Sequence, residues 1–361
     1  MPNNHLTLAV AGARKTQGIV DACVSAQPGS RILVLTYTKA NQEALVERLA
    51  GKVPAGVTVE VRGWFSSLIA DWVRPFVPFL YPGKRVHSFD FKSEPQIGQA
   101  NASYVRYFNS QGGVRRVHLA QLAHRLLDAS NQVAVRRLER MWDAIYIDEV
   151  QDLCGYDLEL LDALFDSDIQ LEMVGDVRQA IILTNPQEQK NSPYKFMKVW
   201  NWFRERETQG RLVITQSSET WRCRPEIAEF ADSLFDPEWG FEATTSNNAV
   251  ETRHDGLFLV RSEDVPAYLH THNPLFLRDG ANSGRTLTYD FTNFGVAKGM
   301  TVERVLVLPT GPIKNLLTRS TALEDRPACK LYVAVTRAEQ SVAFVLDTPG
   351  NSVIPYWIPG A

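Results

Sequence analysis

Four short apolar runs, each ending in a chemically marked turn, constrain this chain more than any other feature of it. Residues 6–10 run into Ala11-Gly12-Ala13-Arg14-Lys15-Thr16, and residues 31–35 into Thr36-Tyr37-Thr38. Residues 144–147 run into Asp148-Glu149, and residues 171–174 into Gly175-Asp176. Short runs bounded in this way read as strands, those at 6–10, 31–35 and 144–147 as buried ones. Residues 17–26 and 41–49 read as helices between them. Strand, loop, helix and strand in that order predict an α/β fold with a parallel sheet and crossover helices. Open sheets of this kind bind ligands at their strand C-termini, which is where the marked turns fall.

The rhythm sets the expected domain organisation. Residues 1–62 and 143–215 form one sheet domain. Residues 63–142 interrupt it with aromatics, with Pro75, Pro78 and Pro82, and with arginine-rich helical stretches at 117–127 and 133–141, as a small insertion would. Residues 216–361 form a second unit, with a helix at 225–235, strands at 257–260, 274–277 and 302–308, a helix at 328–339 and a closing strand at 341–346.

Composition excludes several classes. The chain has 361 residues, 44% hydrophobic and 22% charged, which is ordinary for a globular protein. No apolar run approaches the ~20 residues of a membrane span, and the first five residues do not read as a secretory signal. Cys23, Cys154, Cys223 and Cys329 are far apart with no CxxC pair, so zinc is not suggested and a cytoplasmic, reducing location is expected. The net charge of −3 is unevenly spread. Residues 101–142 hold seven arginines against two carboxylates, whereas residues 143–176 hold eleven carboxylates and no Lys or Arg. Such asymmetry fits a basic binding surface beside an acidic cation site, or two solvated faces that neutralise each other.

The turns carry phosphate chemistry. A triphosphate needs backbone amides at a helix N-terminus, a lysine on its β/γ-phosphates and a hydroxyl on Mg2+. Lys15 and Thr16 are placed for this. The loop is shorter than GxxxxGK[ST], and Arg14 stands where a glycine precedes the lysine. If that position is left-handed, arginine costs about 1 kcal/mol or more. An ordinary turn with a solvated lysine is the plainer reading of this segment alone. Asp148 is suited to holding Mg2+ and Glu149 to orienting and deprotonating an attacking water. The plainer alternative is an acidic loop after a buried strand. Gln179, after Gly175-Asp176-Val177-Arg178, suits a γ-phosphate sensor, or is a surface amide after a turn glycine.

In sequence order, these segments resemble the motifs of the UvrD/Rep/PcrA-like superfamily 1 DNA helicases. Residues 11–16 correspond to motif I, Leu35-Thr-Tyr-Thr-Lys-Ala-Asn41 to motif Ia, and Gly63-Trp-Phe-Ser-Ser67 to the next DNA-contact motif. Asp148-Glu-Val-Gln-Asp152 matches motif II and Val174-Gly-Asp-Val-Arg-Gln179 motif III. Thr220-Trp-Arg-Cys-Arg-Pro-Glu-Ile227 is similar to motif IV, Asn293-Phe-Gly-Val-Ala-Lys-Gly-Met-Thr301 to motif V, and Leu331-Tyr-Val-Ala-Val-Thr-Arg-Ala338 to motif VI. The resemblance covers most of the chain. It implies two RecA-like P-loop NTPase lobes with parallel sheets and ATP in the cleft between them. Gly12, Ala13, Arg14, Lys15, Thr16 and Gln17 would bind the nucleotide, and Thr16 and Asp148 the Mg2+. Asp148, Glu149 and Gln179 would serve hydrolysis from the first lobe. Arg222 and Arg337 would serve as arginine fingers from the second, since planar guanidinium suits the spread charge of a phosphoryl transition state. Arg224 competes with Arg222, whose alternative is a salt bridge before a helix, and the alternative for Arg337 is a late-helix arginine facing the C-terminal carbonyls. Thr36, Tyr37, Thr38, Trp64, Phe65, Asn293 and Lys298 would line a strand of nucleic acid, with core packing the alternative for Trp64 and Phe65.

Several departures accompany the resemblance. No aromatic follows Gln179 in Ala180-Ile-Ile-Leu-Thr184, Gly295 and Thr301 replace the usual histidine and glutamate of motif V, and no adenine-reading glutamine element is evident upstream. Only about 65 residues separate motifs IV and V, too few for the large second accessory domain. The expected activity is an ATP-dependent DNA translocase or helicase on single-stranded or tailed DNA, 3′→5′ by resemblance. The alternative is a nucleotide-gated DNA-binding regulatory subunit with weak or no unwinding, acting with a partner such as a nuclease. A plain kinase or metabolic ATPase leaves the motif VI run unexplained.

Overall fold

The computed structural model describes residues 3–92, 94, 96 and 98–360, and the chain forms two compact units. The first comprises residues 1–8, 15–175 and 183–215, and the second residues 9–14, 176–182 and 216–361.

The strands associated with the first unit are β1 (Asn4–Ala9), β2 (Arg31–Thr36), β3 (Thr58–Gly63), β4 (Ser88–Asp90), β5 (Gly113–Arg115), β6 (Ala144–Ile147), β7 (Gln170–Gly175) and β8 (Val213–Ser217). Six of them make one sheet in the order β3-β2-β6-β7-β1-β8, and the pairings from β3 through to β1 are all parallel. β2 sits inside it and buries every residue from Ile32 to Thr36, as a strand covered on both faces must. On one face, Ile19, Val20 and Cys23 of α1 (Lys15–Val24) and Leu45 and Leu49 of α2 (Lys39–Leu49) pack on Ile32, Val34 and Ala144. α2 starts where it does because the Thr38 hydroxyl accepts from the Asn41 amide at 3.2 Å, an N-cap worth about 1 kcal/mol.

β3 and the helices Tyr156–Phe165 and Val199–Thr208 were not anticipated from sequence. β3 alternates Val59 and Val61 with Glu60 and Arg62 at the sheet edge, so it lacks the continuous apolar signature of its neighbours. The insertion contains the helices Leu119–Ala129 and Val133–Met141, a π-helical turn at Leu68–Val73 and the small parallel pair β4–β5. Several of its arginines make contacts within the unit. Arg137 reaches the buried Asp71 at 3.2 Å, where Arg62 of β3 joins it at 2.7 Å, Arg106 donates to Gln121 at 3.0 Å, and Arg125 donates to the Tyr81 hydroxyl at 3.2 Å. The local excess of positive charge is therefore partly used in holding the insertion together.

In the second unit, β11 (Gly256–Val260), β12 (Leu275–Arg278), β13 (Thr292–Asn293), β14 (Val302–Val307) and β15 (Ala338–Val345) form a parallel sheet in the order β11-β15-β14-β12-β13. β9 (Glu219–Thr220) and β10 (Thr245–Ser246) pair separately. Val260, Phe276, Leu306, Ala343 and Val345 pack against Val265 and Tyr268 of the helix Val265–His272. That helix and Gly311–Arg319 were not expected from sequence. The helix Asp325–Val335 ends four residues before the expected stop at 339. Side chains satisfy its last carbonyls: the Thr336 hydroxyl donates to Tyr332 O at 2.7 Å and Arg337 Nε to Val333 O at 2.8 Å. The chain is then free to enter β15 at Ala338.

Candidate nucleotide and nucleic-acid sites

In the first unit, β6 delivers Asp148 and the turn that follows delivers Glu149. Asp148 is buried, its amide held by Leu35 O at 2.8 Å. One carboxylate oxygen accepts the Glu149 amide at 3.0 Å and the other the Thr16 hydroxyl at 3.3 Å. Lys15 and Thr16 open α1, which places them at a helix N-terminus. Burial, and then the neighbouring Glu149 charge, pushes the Asp148 carboxyl up to about 7, while the Lys15 ammonium opposes that rise. Glu149 is held left-handed at φ 57, and Gln151 Nε2 hydrogen-bonds its carboxylate. A hydroxyl beside a buried carboxylate, with a lysine next to both, is an oxygen donor set of the kind that holds Mg2+ through one or two protein ligands plus phosphate.

In the second unit, Gly12 has φ +83, and a Cβ there would lie 2.5 Å from Thr220 Oγ1 and 2.7 Å from Arg222 Cβ. Glycine is required by both backbone and space. Arg14 is left-handed at φ 57, the conformation whose cost was conditional in the sequence. Its guanidinium lies 4.0 Å from the ring centroid of Trp221, which is 47% exposed. The Thr220 hydroxyl donates to Ala11 O at 2.7 Å, and the Ala11 amide donates to the Tyr332 hydroxyl at 3.2 Å. The Tyr332 hydroxyl in turn donates to Asp176 Oδ2 at 2.9 Å, an oxygen that also accepts Gln179 Nε2 at 2.9 Å. Gln179 Oε1 then accepts Arg337 Nη2 at 3.2 Å.

This hydrogen-bonded chain links motif segments far apart in sequence. Gln179 is buried, so it is not the surface amide of the plainer reading. Arg337 is 1% exposed and also donates to Val333 O, Met300 O and Thr336 Oγ1. Arg222 Nη1 donates to Thr336 O at 3.1 Å. Sequence reasoning did not single out Asp176 or Tyr332. Both lie inside quoted motifs, but a buried tyrosine in an apolar helix reads as core until its hydroxyl partners are seen.

The residues expected to line a strand fall into two groups. Tyr37 and Phe65 are half-buried with ring centroids 5.8 Å apart, and Thr38 is exposed. Trp64 is a correction: it is 3% exposed and its indole donates to Asp157 Oδ1 at 2.7 Å, so its faces are sealed in the core. Thr36 is corrected likewise, being 1% exposed at the end of β2. In the second unit Asn293 Oδ1 accepts Arg278 Nε at 3.0 Å, and Lys298 is half-buried.

Residues 81–182 match the UvrD/REP helicase N-terminal domain. Among solved structures, the chain is similar to the arterivirus nonstructural protein 10 helicase at 12% identity and a TM-score of 0.46, covering 95% of this chain and 59% of that one. It is also similar to a complex of arterivirus nonstructural protein 10 with DNA, at 13% identity, a TM-score of 0.48, and 95% and 61% coverage. The chain thus spans about three fifths of the length of these helicases. No curated protein matches it.

Proposed function

We infer that this chain, whose residues 81–182 carry the UvrD/REP helicase N-terminal domain match, is an ATP-driven motor that moves on single-stranded DNA. The observation that carries the reading is the contact of the Thr16 hydroxyl with Asp148, with Lys15 and Glu149 adjoining them. In this reading Lys15 and the loop from Gly12 to Gln17 bind the triphosphate. Thr16 and Asp148 hold Mg2+, which when bound neutralises phosphate charge. Glu149 takes the proton of the attacking water, with Gln151 fixing its carboxylate. Gln179 orients to the terminal phosphate, and Arg222 and Arg337 supply positive charge to it. Tyr37, Thr38 and Phe65 contact the DNA, joined by Asn293 and Lys298. Polarity is assigned 3′→5′ by resemblance.

ATP hydrolysis with and without single-stranded DNA tests the reading in the wild type, Lys15→Ala and Glu149→Gln. The DNA-stimulated rate is expected to fall by about 100-fold or more in each variant. Equal rates in all three would overturn it.

A second reading is a nucleotide-gated DNA-binding subunit with little unwinding of its own, working beside a partner such as a nuclease. It is favoured by the stacking of Arg14 over Trp221 and by the four acceptors that engage Arg337. Strand displacement measured beside ATPase separates the two, because robust unwinding by the purified chain eliminates the second.

A further inference from the structure

Four aromatic rings from three separate segments of the first unit meet at the surface. Tyr37 follows β2, Phe65 lies in the short helix Trp64–Ser67 after β3, and Phe89 and Phe91 belong to β4 and the residue beyond it. The Phe65 centroid lies 5.8 Å from those of Tyr37 and Phe89 and 6.3 Å from that of Phe91. Phe89 and Phe91 are 5.8 Å apart. Phe91 is 57% exposed. A single exposed phenylalanine needs no explanation, but one that extends a cluster of three half-buried rings forms a continuous apolar surface. Positive charge borders it. The Arg116 guanidinium lies 5.2 Å from the Phe91 centroid and is anchored through Nη1 to Thr184 O at 2.8 Å, and Lys92 is exposed next to Phe91.

We propose that Phe89 and Phe91, with Arg116, form a base-stacking platform for single-stranded DNA contributed by the insertion. The proposal rests on the reading above that the chain binds DNA. Single strands are held by cations that follow the backbone and by rings whose faces accept any base. The patch has both, and it is continuous with Tyr37 and Phe65, already assigned to the strand. A protein partner would also cover an apolar patch, but the cationic border and the continuity with Tyr37 favour a nucleic acid.

The test uses the full chain and a fluorescein-labelled oligo-dT, with a second oligonucleotide carrying one 2-aminopurine. Phe91→Ala is expected to weaken binding about 5- to 150-fold, the range for loss of one stacked base, and to abolish 2-aminopurine quenching. Phe91→Trp is expected to retain both. The slope of log affinity against log salt should stay at the wild-type value, because the phosphate contacts remain. Because Phe91 is exposed, Phe91→Ala should melt with the wild type, and the affinity then reports the surface. Wild-type binding with unchanged affinity and quenching in Phe91→Ala overturns the platform and leaves the DNA reading standing. A wild type that binds neither oligonucleotide overturns the DNA reading, and the platform with it.

Discussion

Gly12 admits no side chain, and the reason lies in contacts sequence could not show. Its added Cβ would meet Thr220 and Arg222, more than 200 positions away. Gly12→Ala should therefore lower both stability and nucleotide affinity, read by a urea melt and a fluorescent ATP analogue. Arg14 is a closer balance. Its left-handed backbone costs about 1–2 kcal/mol, against which an exposed cation–π contact with Trp221 returns about 0.5–1 kcal/mol and glycine adds unfolded-chain entropy of similar size. Arg14→Gly is expected to change stability by less than about 1 kcal/mol in the same melt. Tyr332→Phe has no such offset. It leaves the buried Ala11 amide without the Tyr332 hydroxyl and removes one donor from Asp176 Oδ2, which keeps Gln179, a loss of about 1–3 kcal/mol. The acids and the lysine were legible because their chemistry is local to a strand end. The partners of Gly12 and Tyr332 were not, because each is fixed by folding rather than by spacing.

At the scale of elements, fully buried strands were the easiest to read. Ala144–Ile147 was found to the residue, and β2 to within one, because continuous apolar runs admit few alternatives. β3 failed that test because half its residues face solvent or Asp71. Its Arg62 and the helical Arg137 converge on Asp71, which is itself buried. Removing one partner of a fully buried pair costs about 3–5 kcal/mol. Here the arginine side chains are 20% and 39% exposed, and Arg62 retains Glu60. Asp71→Ala is therefore expected to cost less, about 1–3 kcal/mol in a chemical melt. The arginine-rich stretch that read as a basic face is in part the other half of this ion-pair network.

For the whole molecule, acid sensitivity is shared between the units. Burial, reinforced by Arg106 and Arg115, lowers His118 in the first to about 4, and burial, with His272 and Arg304 beside it, lowers His254 in the second to about 4. An imidazole held neutral when folded but protonated at its usual 6.5 when unfolded contributes stability above that value, which is lost as pH falls towards 4. Asp157, raised to about 6 by burial, has the opposite sign: its unfolded form ionises first, so its contribution falls as pH rises from about 4 to 6. His254→Gln should flatten the loss of stability between pH 6.5 and 4 by up to about 3 kcal/mol, and melts at pH 7, 5.5 and 4.5 will measure it. The composition of the second unit has a practical outcome. Residues 9–14 and 176–182 belong to it as fully as residues 216–361 do, and Tyr332 is hydrogen-bonded to both strips. A gene cut at codon 216 would part residues 216–361 from both strips, so a fragment that starts there gives up the hydrogen bonds that join Tyr332 to Ala11 and Asp176.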